Sequence, residues 1–324
     1  MNMKKIGLTA LASSLVATSA FAGSLTLSGG AKMSYVANDG NKETKDTAGR
    51  FAMDQEISAS GSGELENGFT VTLSHGMSGE ETAKSDTSSL TIDMGDMGTL
   101  SYNDADGHPG LAGLEDFMPK AYEQANDGIA THNMAKMDSG QGFGYENSVG
   151  GASISIGYSD GIAATTDRTD GETDTSTSSA NSSSSIGISY EVADGLTVKA
   201  GAGSVGQSDG KEIDHTTFGL VYNFGPASVG YQLNDEDDSA AGGTDLETEI
   251  YAISFMVNDD FSISYGEHNT DKASSTTDQE IESFQASYSM GGMSINLKDS
   301  EATGTENTAG QTSETTEVLI TFAF

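Results

Sequence analysis

The 324-residue sequence contains no cysteine, no tryptophan and only three prolines, and bases are scarce, with 14 Lys and Arg against 49 Asp and Glu. Without cysteine there is no disulfide scaffold, zinc ribbon or thiol nucleophile, a composition compatible with an oxidising compartment. A formal charge of −35 would repel a phosphate backbone, which excludes nucleic acid as a partner and argues against binding anionic lipid headgroups. Apart from the N-terminus, no segment approaches the roughly 18–20 consecutive apolar residues of a membrane-spanning helix. If the chain spans a membrane, it must do so as a closed β-barrel, the other structure that satisfies every backbone group in lipid. Hydrophobic residues make up 35% of the chain, against roughly 45–50% in ordinary globular domains. Such a chain is either unfolded or needs apolar residues on only one thin surface, and periodicity decides between the two.

The N-terminus carries Lys4 and Lys5, an apolar stretch from Ile6 to Val16, and Ala20-Phe-Ala22 before Gly23. This is the order of charged, apolar and small-residue regions in a secretory signal, with cleavage expected after Ala22. Residues 1–22 are therefore read as a signal peptide and residues 23–324 as the mature chain. Losing the two lysines makes the mature chain still more acidic.

Beyond the signal, apolar residues alternate with polar ones. Leu25, Leu27, Ala31, Met33 and Tyr35 fall on one face of an extended segment, with Thr26, Ser28, Lys32 and Ser34 on the other. The same period of two recurs through segments such as Phe51/Met53/Ile57, Ile154/Ile156/Tyr158, Phe218/Leu220/Tyr222 and Phe284/Ala286/Tyr288, ending with Val318/Ile320/Phe322/Phe324. Sixteen half-apolar strands are counted in this way.

The connections alternate in length. Short turns such as Glu66-Asn-Gly68, Gly150-Gly151, Ala193-Asp-Gly195 and Gly291-Gly292 suit tight hairpins. Between them lie long polar segments, the third of which, 104–141, is the longest and holds Leu111, Leu114, Phe117, Met118 and Tyr122, apolar groups that want burial. Short turns at one end and long loops at the other fit an up-and-down outer-membrane barrel with both termini on the short-turn side. Phe69, Phe224, Phe261 and Phe324 beside short turns, and Tyr35, Tyr102, Tyr145, Tyr158 and Tyr265 beside long loops, supply two aromatic girdles. The fold class is all-β: a 16-stranded antiparallel transmembrane barrel. At that strand number a barrel leaves an aqueous lumen instead of filling with side chains.

Through its signal, strand count, loop asymmetry, long third loop and final Phe324, the chain resembles the general porins of Gram-negative outer membranes, particularly the shorter alphaproteobacterial type. The resemblance implies a homotrimer in outer-membrane lipid that passes small hydrophilic solutes, with Phe322 and Phe324 as the signal read by the barrel assembly machinery. It also implies a third loop folded inward to narrow the pore, which makes Glu115, Asp116, Glu123 and Asp127 candidates for an acidic side of the constriction. The Pro-Glu-Phe-Gly-Gly run of enterobacterial porins is missing, and Leu114-Glu-Asp-Phe117 is only a loose counterpart.

Strand parity points Lys32, Arg50, Lys199 and Lys298 inward, as candidates for a basic wall facing that acid. Parity alone also has a plainer explanation, since an outward charge would cost about 2–4 kcal/mol at the bilayer midplane. The overall acidity should favour cations at the mouth. In the long segment 235–247, the run Asp235-Glu-Asp-Asp238 has the hard oxygen donors that Ca²⁺ prefers, without EF-hand spacing; no other cofactor is expected. Gly201-Ala-Gly-Ser-Val-Gly206 matches a dinucleotide fingerprint, but no helix follows to bind pyrophosphate. Gly157-Tyr-Ser-Asp-Gly161 matches a nucleophile elbow without its helix. The five histidines lack metal spacing. An enzyme is not expected. Two alternatives to the diffusion pore stay open, a solute-specific channel and a plugged structural or adhesive surface barrel.

Overall fold

The strand Glu212–Phe224 shows why this sequence closes into a barrel. Phe218 is 52% exposed while His215 and Thr217, on the opposite face, are 1% and 4% exposed. The burial is inverted relative to a water-soluble sheet. An alternating strand with its apolar side outward and polar side inward is stable only where the outside is hydrocarbon and the inside can satisfy polar groups.

A computed structural model describes residues 25–41, 49–79, 84–103, 109–130, 142–159, 182–207, 211–239 and 243–324. The signal segment 1–22 and the flanks 104–108 and 131–141 of the third loop lie outside the described residues. The strands, in chain order, are β1 (Leu25–Asp39), β2 (Arg50–Glu64), β3 (Thr70–Ser78), β4 (Lys84–Asp93), β5 (Thr99–Asn103), β6 (Gly142–Val149), β7 (Ala152–Ser159) and β8 (Ser183–Ala193). They continue with β9 (Leu196–Gly206), β10 (Glu212–Phe224), β11 (Ala227–Asp238), β12 (Leu246–Asn258), β13 (Phe261–Lys272), β14 (Gln279–Met290), β15 (Met293–Thr303) and β16 (Thr312–Ala323). Each pairs antiparallel with its sequence neighbours, and β1 pairs with β16 to close the barrel. Closure leaves no free strand edge in the lipid.

All sixteen expected strands are present, and several run further at the long-loop end than the apolar alternation indicates. There the wall rises above the hydrocarbon, where backbone pairing holds it and no apolar side chain is needed. β11 is the clearest case, because Asp235–Asp238 belong to the strand and not to a loop. Register places Asp235 opposite Glu247 and Glu236 opposite His215. Strand alternation therefore sends Asp235 and Asp237 outward and Glu236 and Asp238 inward. Alternation thus divides the four carboxylates between the two faces of β11. Among the described residues no group of three or more His, Cys, Asp or Glu is gathered as a metal-ligand set.

At the short-turn end, Gly150 and Gly151 have φ of 62° and 88°, the two left-handed residues that a tight β6–β7 hairpin requires. The seam between β1 and β16 is tied there as well. Gly29 and Phe324 exchange two backbone hydrogen bonds, both 3.0 Å, and the Phe324 ring lies over Gly29. Further up the outer wall, Tyr231 and Tyr251 both donate to Glu249 and Tyr265 donates to Glu267. These girdle tyrosines turn their hydroxyls toward the polar side of the interface, as an amphipathic ring at a membrane boundary does.

Candidate functional site

Of the connection between β5 and β6, residues 109–130 lie inside the barrel. Residues 109–130 hold a course across the inner faces of the later strands, and polar side chains of the wall fasten their backbone. The Leu111 N–H donates to Ser185 Oγ at 3.0 Å on β8. On β11, Gln232 accepts from the Phe117 N–H at 3.1 Å and donates to the carbonyls of Leu114 and Glu115 at 2.7 and 2.8 Å. Asn234 donates to the Glu115 carbonyl as well. Ala121 N–H donates to Ser264 on β13. Gln285 on β14 accepts from the N–H groups of Tyr122 and Glu123 and donates to the Glu123 carbonyl. Thr315 on β16 donates to the Gly128 carbonyl, and Gln279 on β14 donates to that of Ala130.

A loop inside a barrel has unpaired backbone groups that would be costly to bury. The inward amides and hydroxyls of the wall pair them. The loop's apolar residues are buried between it and the wall: Leu111 and Leu114 pack with Phe117 and Val205, and Ile129 packs with Ile281 and Ala302. The loop thus narrows the lumen from the side of β6–β16, while Lys32 on β1 and Arg50 on β2 stay exposed on the wall near the seam. On the short-turn side of the loop a cavity of about 800 Å³ is lined by Asp96, Thr99, Glu146, Ser153, Ser155 and Ser189 among others.

The expected acidic and basic residues do not sort onto opposite sides. Lys298, 2% exposed in β15, forms an ion pair with Glu123 of the loop. It supports the loop from behind, so it is not part of a wall facing the acid. Parity correctly turned it inward but could not show that the loop lies directly over β15. Lys199 likewise sits under the loop, its ammonium 4.8 Å from the centroid of the Phe117 ring, a cation–π distance. Lys32 and Arg50 remain as lumen-facing bases. Lys32 stands opposite Asp54 and Arg50 opposite Val36 in register, so the uncovered wall is also of mixed sign.

Asp116 departs from expectation. Its side chain is 4% exposed, it accepts from the Met118 N–H at 2.8 Å, and Lys120 lies 4.0 Å away. Burial pushes its carboxyl above the ordinary range, opposed by Lys120 and the Met118 N–H. It braces the loop's own turn instead of lining the pore.

Asp127 is half-buried and accepts from the Gln124 N–H at 2.9 Å. Burial raises its pKa first, and the neighbouring Glu123 adds to the rise, opposed chiefly by Lys298. Glu115 is held through its backbone by Gln232 and Asn234. Tyr122, absent from the expected charge set, donates its hydroxyl to Glu317 on β16 at 2.9 Å, and burial together with Glu123 and Glu317 raises its pKa. The constriction is therefore an interleaved network of Lys298, Glu123, Tyr122, Glu317 and Asp127.

The wall residues that carry the loop were not singled out by sequence reasoning. Their one signal was the presence of long amides, Gln232, Gln279 and Gln285, at inward positions of their strands. Gly201, part of the apparent dinucleotide fingerprint, lies beneath the Leu111 and Leu114 side chains. That glycine serves loop packing.

A sequence model of the Gram-negative porin family matches residues 7–293. Comparison with curated proteins gives no sequence match. Among solved structures, the anion-selective porin from Comamonas acidovorans is 14% identical with a TM-score of 0.68, covering 93% of this chain and 99% of its own. A multiply substituted Rh. blastica porin is also 14% identical, with a TM-score of 0.66, covering 93% of this chain and 100% of its own. These similarities agree with the closed barrel and extend over nearly all of it. The chain belongs to the Gram-negative porin family, outer-membrane channel proteins and not enzymes.

Proposed function

We propose that the protein is a general diffusion pore, passing small hydrophilic solutes and ions with a preference for cations, and that it acts as a homotrimer after removal of residues 1–22. The observation that carries this reading is the loop fastened against β6–β16, which narrows a polar lumen from one side. Cation preference is supported by charge. On the inward faces of the strands, Asp54, Glu56, Asp93, Glu146, Glu236 and Glu317 are joined by only a few bases, and Lys298 is already paired with Glu123. A lumen with this balance concentrates cations electrostatically. The Comamonas porin is named as anion-selective, so fold leaves selectivity open and the inward charges must set it. Export to the outer membrane follows from the signal segment, and Phe322 and Phe324 present the terminal aromatic pattern for the assembly machinery.

The test is the reversal potential of purified protein in a planar bilayer under a KCl gradient. Cation preference predicts the sign of a cation-selective channel, weakening as salt screens the lumen. An anion-selective potential would overturn that part of the reading, and closure in other than three equal steps would overturn the trimer.

A further inference from the structure

Along the loop's path, the inner wall repeatedly carries glycine. Gly144, Gly157, Gly187, Gly201, Gly219 and Gly230 lie on the six successive strands β6–β11, each at an inward position flanked by outward apolar or small residues. Gly144 is registered opposite Gly157 and Gly187 opposite Gly201. Where the series departs from direct register it moves two residues, which keeps it on the inner face. Gly157 faces Ser185, Gly201 faces Thr217 and Gly219 faces Gln232; of these intervening residues, Ser185 and Gln232 are themselves loop anchors.

A side chain at these positions would occupy space the loop uses. A Cβ at Gly230 would stand 2.6 Å from Met118 Sδ and 2.7 Å from Pro119 Cδ, and one at Gly201 would stand 2.7 Å from Leu111 Cδ1. The nearest atoms at Gly230 all belong to the loop. Met118 is 4% exposed with little room to turn, and the Pro119 ring is fixed to its backbone. A methyl group there must therefore move the loop by roughly 1 Å to restore ordinary contact distances. On the loop's other side is the lumen, so the displacement is into the pore.

We infer that this inward glycine row is the pore's calibrating element: it sets how deeply the third loop seats in the wall, and hence the open cross-section and solute size limit. These are positioning residues, acting through the loop without touching the solute. The inference rests on the diffusion-pore reading and adds the residues that fix the aperture.

The test is single-channel conductance of Gly230→Ala beside wild type, with barrel folding checked by heat-modifiable gel migration. The expected result is a folded barrel whose step falls by roughly 1.5- to 2-fold, since conductance follows the open cross-section. Adding Met118→Ala removes one of the two groups the new methyl strikes and should restore part of the step, the Pro119 ring keeping the remainder of the displacement. If Gly230→Ala does not fold, Met118→Phe crowds the same contact from the loop side with the strand unchanged, and the same narrowing is expected. A folded variant with the wild-type step, or a narrowed step that Met118→Ala leaves wholly unchanged, would overturn the glycine inference while leaving the pore intact. Folded wild-type protein that does not conduct would instead overturn the diffusion reading.

Discussion

Lys298 and Glu123 form an ion pair across the junction between the barrel wall and the inward loop. The lysine is buried and the glutamate keeps 28% of its side chain exposed, so the pair places a neutralised carboxylate at the edge of the lumen. Lys298→Gln leaves Glu123 charged and uncompensated, and a KCl-gradient reversal potential should shift toward stronger cation selectivity. Glu123→Gln does the reverse and strands a buried ammonium. Its stability cost should be on the order of 2 kcal/mol, below the roughly 3–5 of a fully buried pair because Glu123 is partly in water. Thermal unfolding in detergent measures that loss.

Gln232 holds three backbone groups of the loop at once, the Phe117 N–H and the carbonyls of Leu114 and Glu115. Gln232→Leu keeps the bulk and removes the partners, leaving buried groups unpaired at about 1–3 kcal/mol each. The closed strand network should survive while the loop loosens. The expected signs are greater open-channel current noise and faster protease cleavage within 109–130, with unchanged heat-modifiability of the barrel.

Two loop carboxyls give a pH dependence with a defined sign. Asp116 and Asp127 are both raised from an ordinary value of 3.8, with burial the largest cause in each. A folded state that binds protons more tightly than the unfolded one loses stability as pH rises. The contribution of these groups is thus full below about 3.8 and declines as pH rises through their elevated folded values. Asp116→Asn retains an acceptor for the Met118 N–H and should flatten this part of the stability profile. For conduction, Asp127 should take up its proton before ordinary carboxylates do. Cation preference should then begin to fall on mild acidification, and Asp127→Asn should remove that early phase from a reversal-potential titration.

The barrel was legible in the sequence because one physical rule, apolar outward and polar inward, writes a period of two into every span. Phe218, Leu220 and Tyr222 on β10 announce their face without reference to any other strand. The constriction was less legible because it depends on which wall the loop crosses. Lys298 and Lys199 were turned to the correct face, yet nothing in their own strands reveals the loop lying above them. Asp116 reads as a pore carboxylate until its turn is built, when the Met118 N–H claims it. The Asp235–Asp238 run reads as a cluster until strand pairing splits it between two faces. The inward glycines were visible one by one, but only register makes them a continuous path.

The seam offers a separate test of assembly. Phe324 supplies both backbone hydrogen bonds to Gly29 and a ring over it. Deleting Phe324 should cut the yield of folded barrel in the outer membrane sharply. Protein refolded in detergent should still close, because the longer β1–β16 ladder from Gly30–Ala323 to Asp39–Glu314 remains. Equal loss in both settings would mean that the residue is needed for closure itself, not for recognition by the assembly machinery.

Single-channel recording of the purified wild-type protein in a planar bilayer decides whether the loop-narrowed lumen is open. An open pore gives stable steps, closing in thirds, with a cation-selective reversal potential under a KCl gradient. Correctly folded barrels that insert and give no steps would contradict it, and the lumen would then have to be plugged.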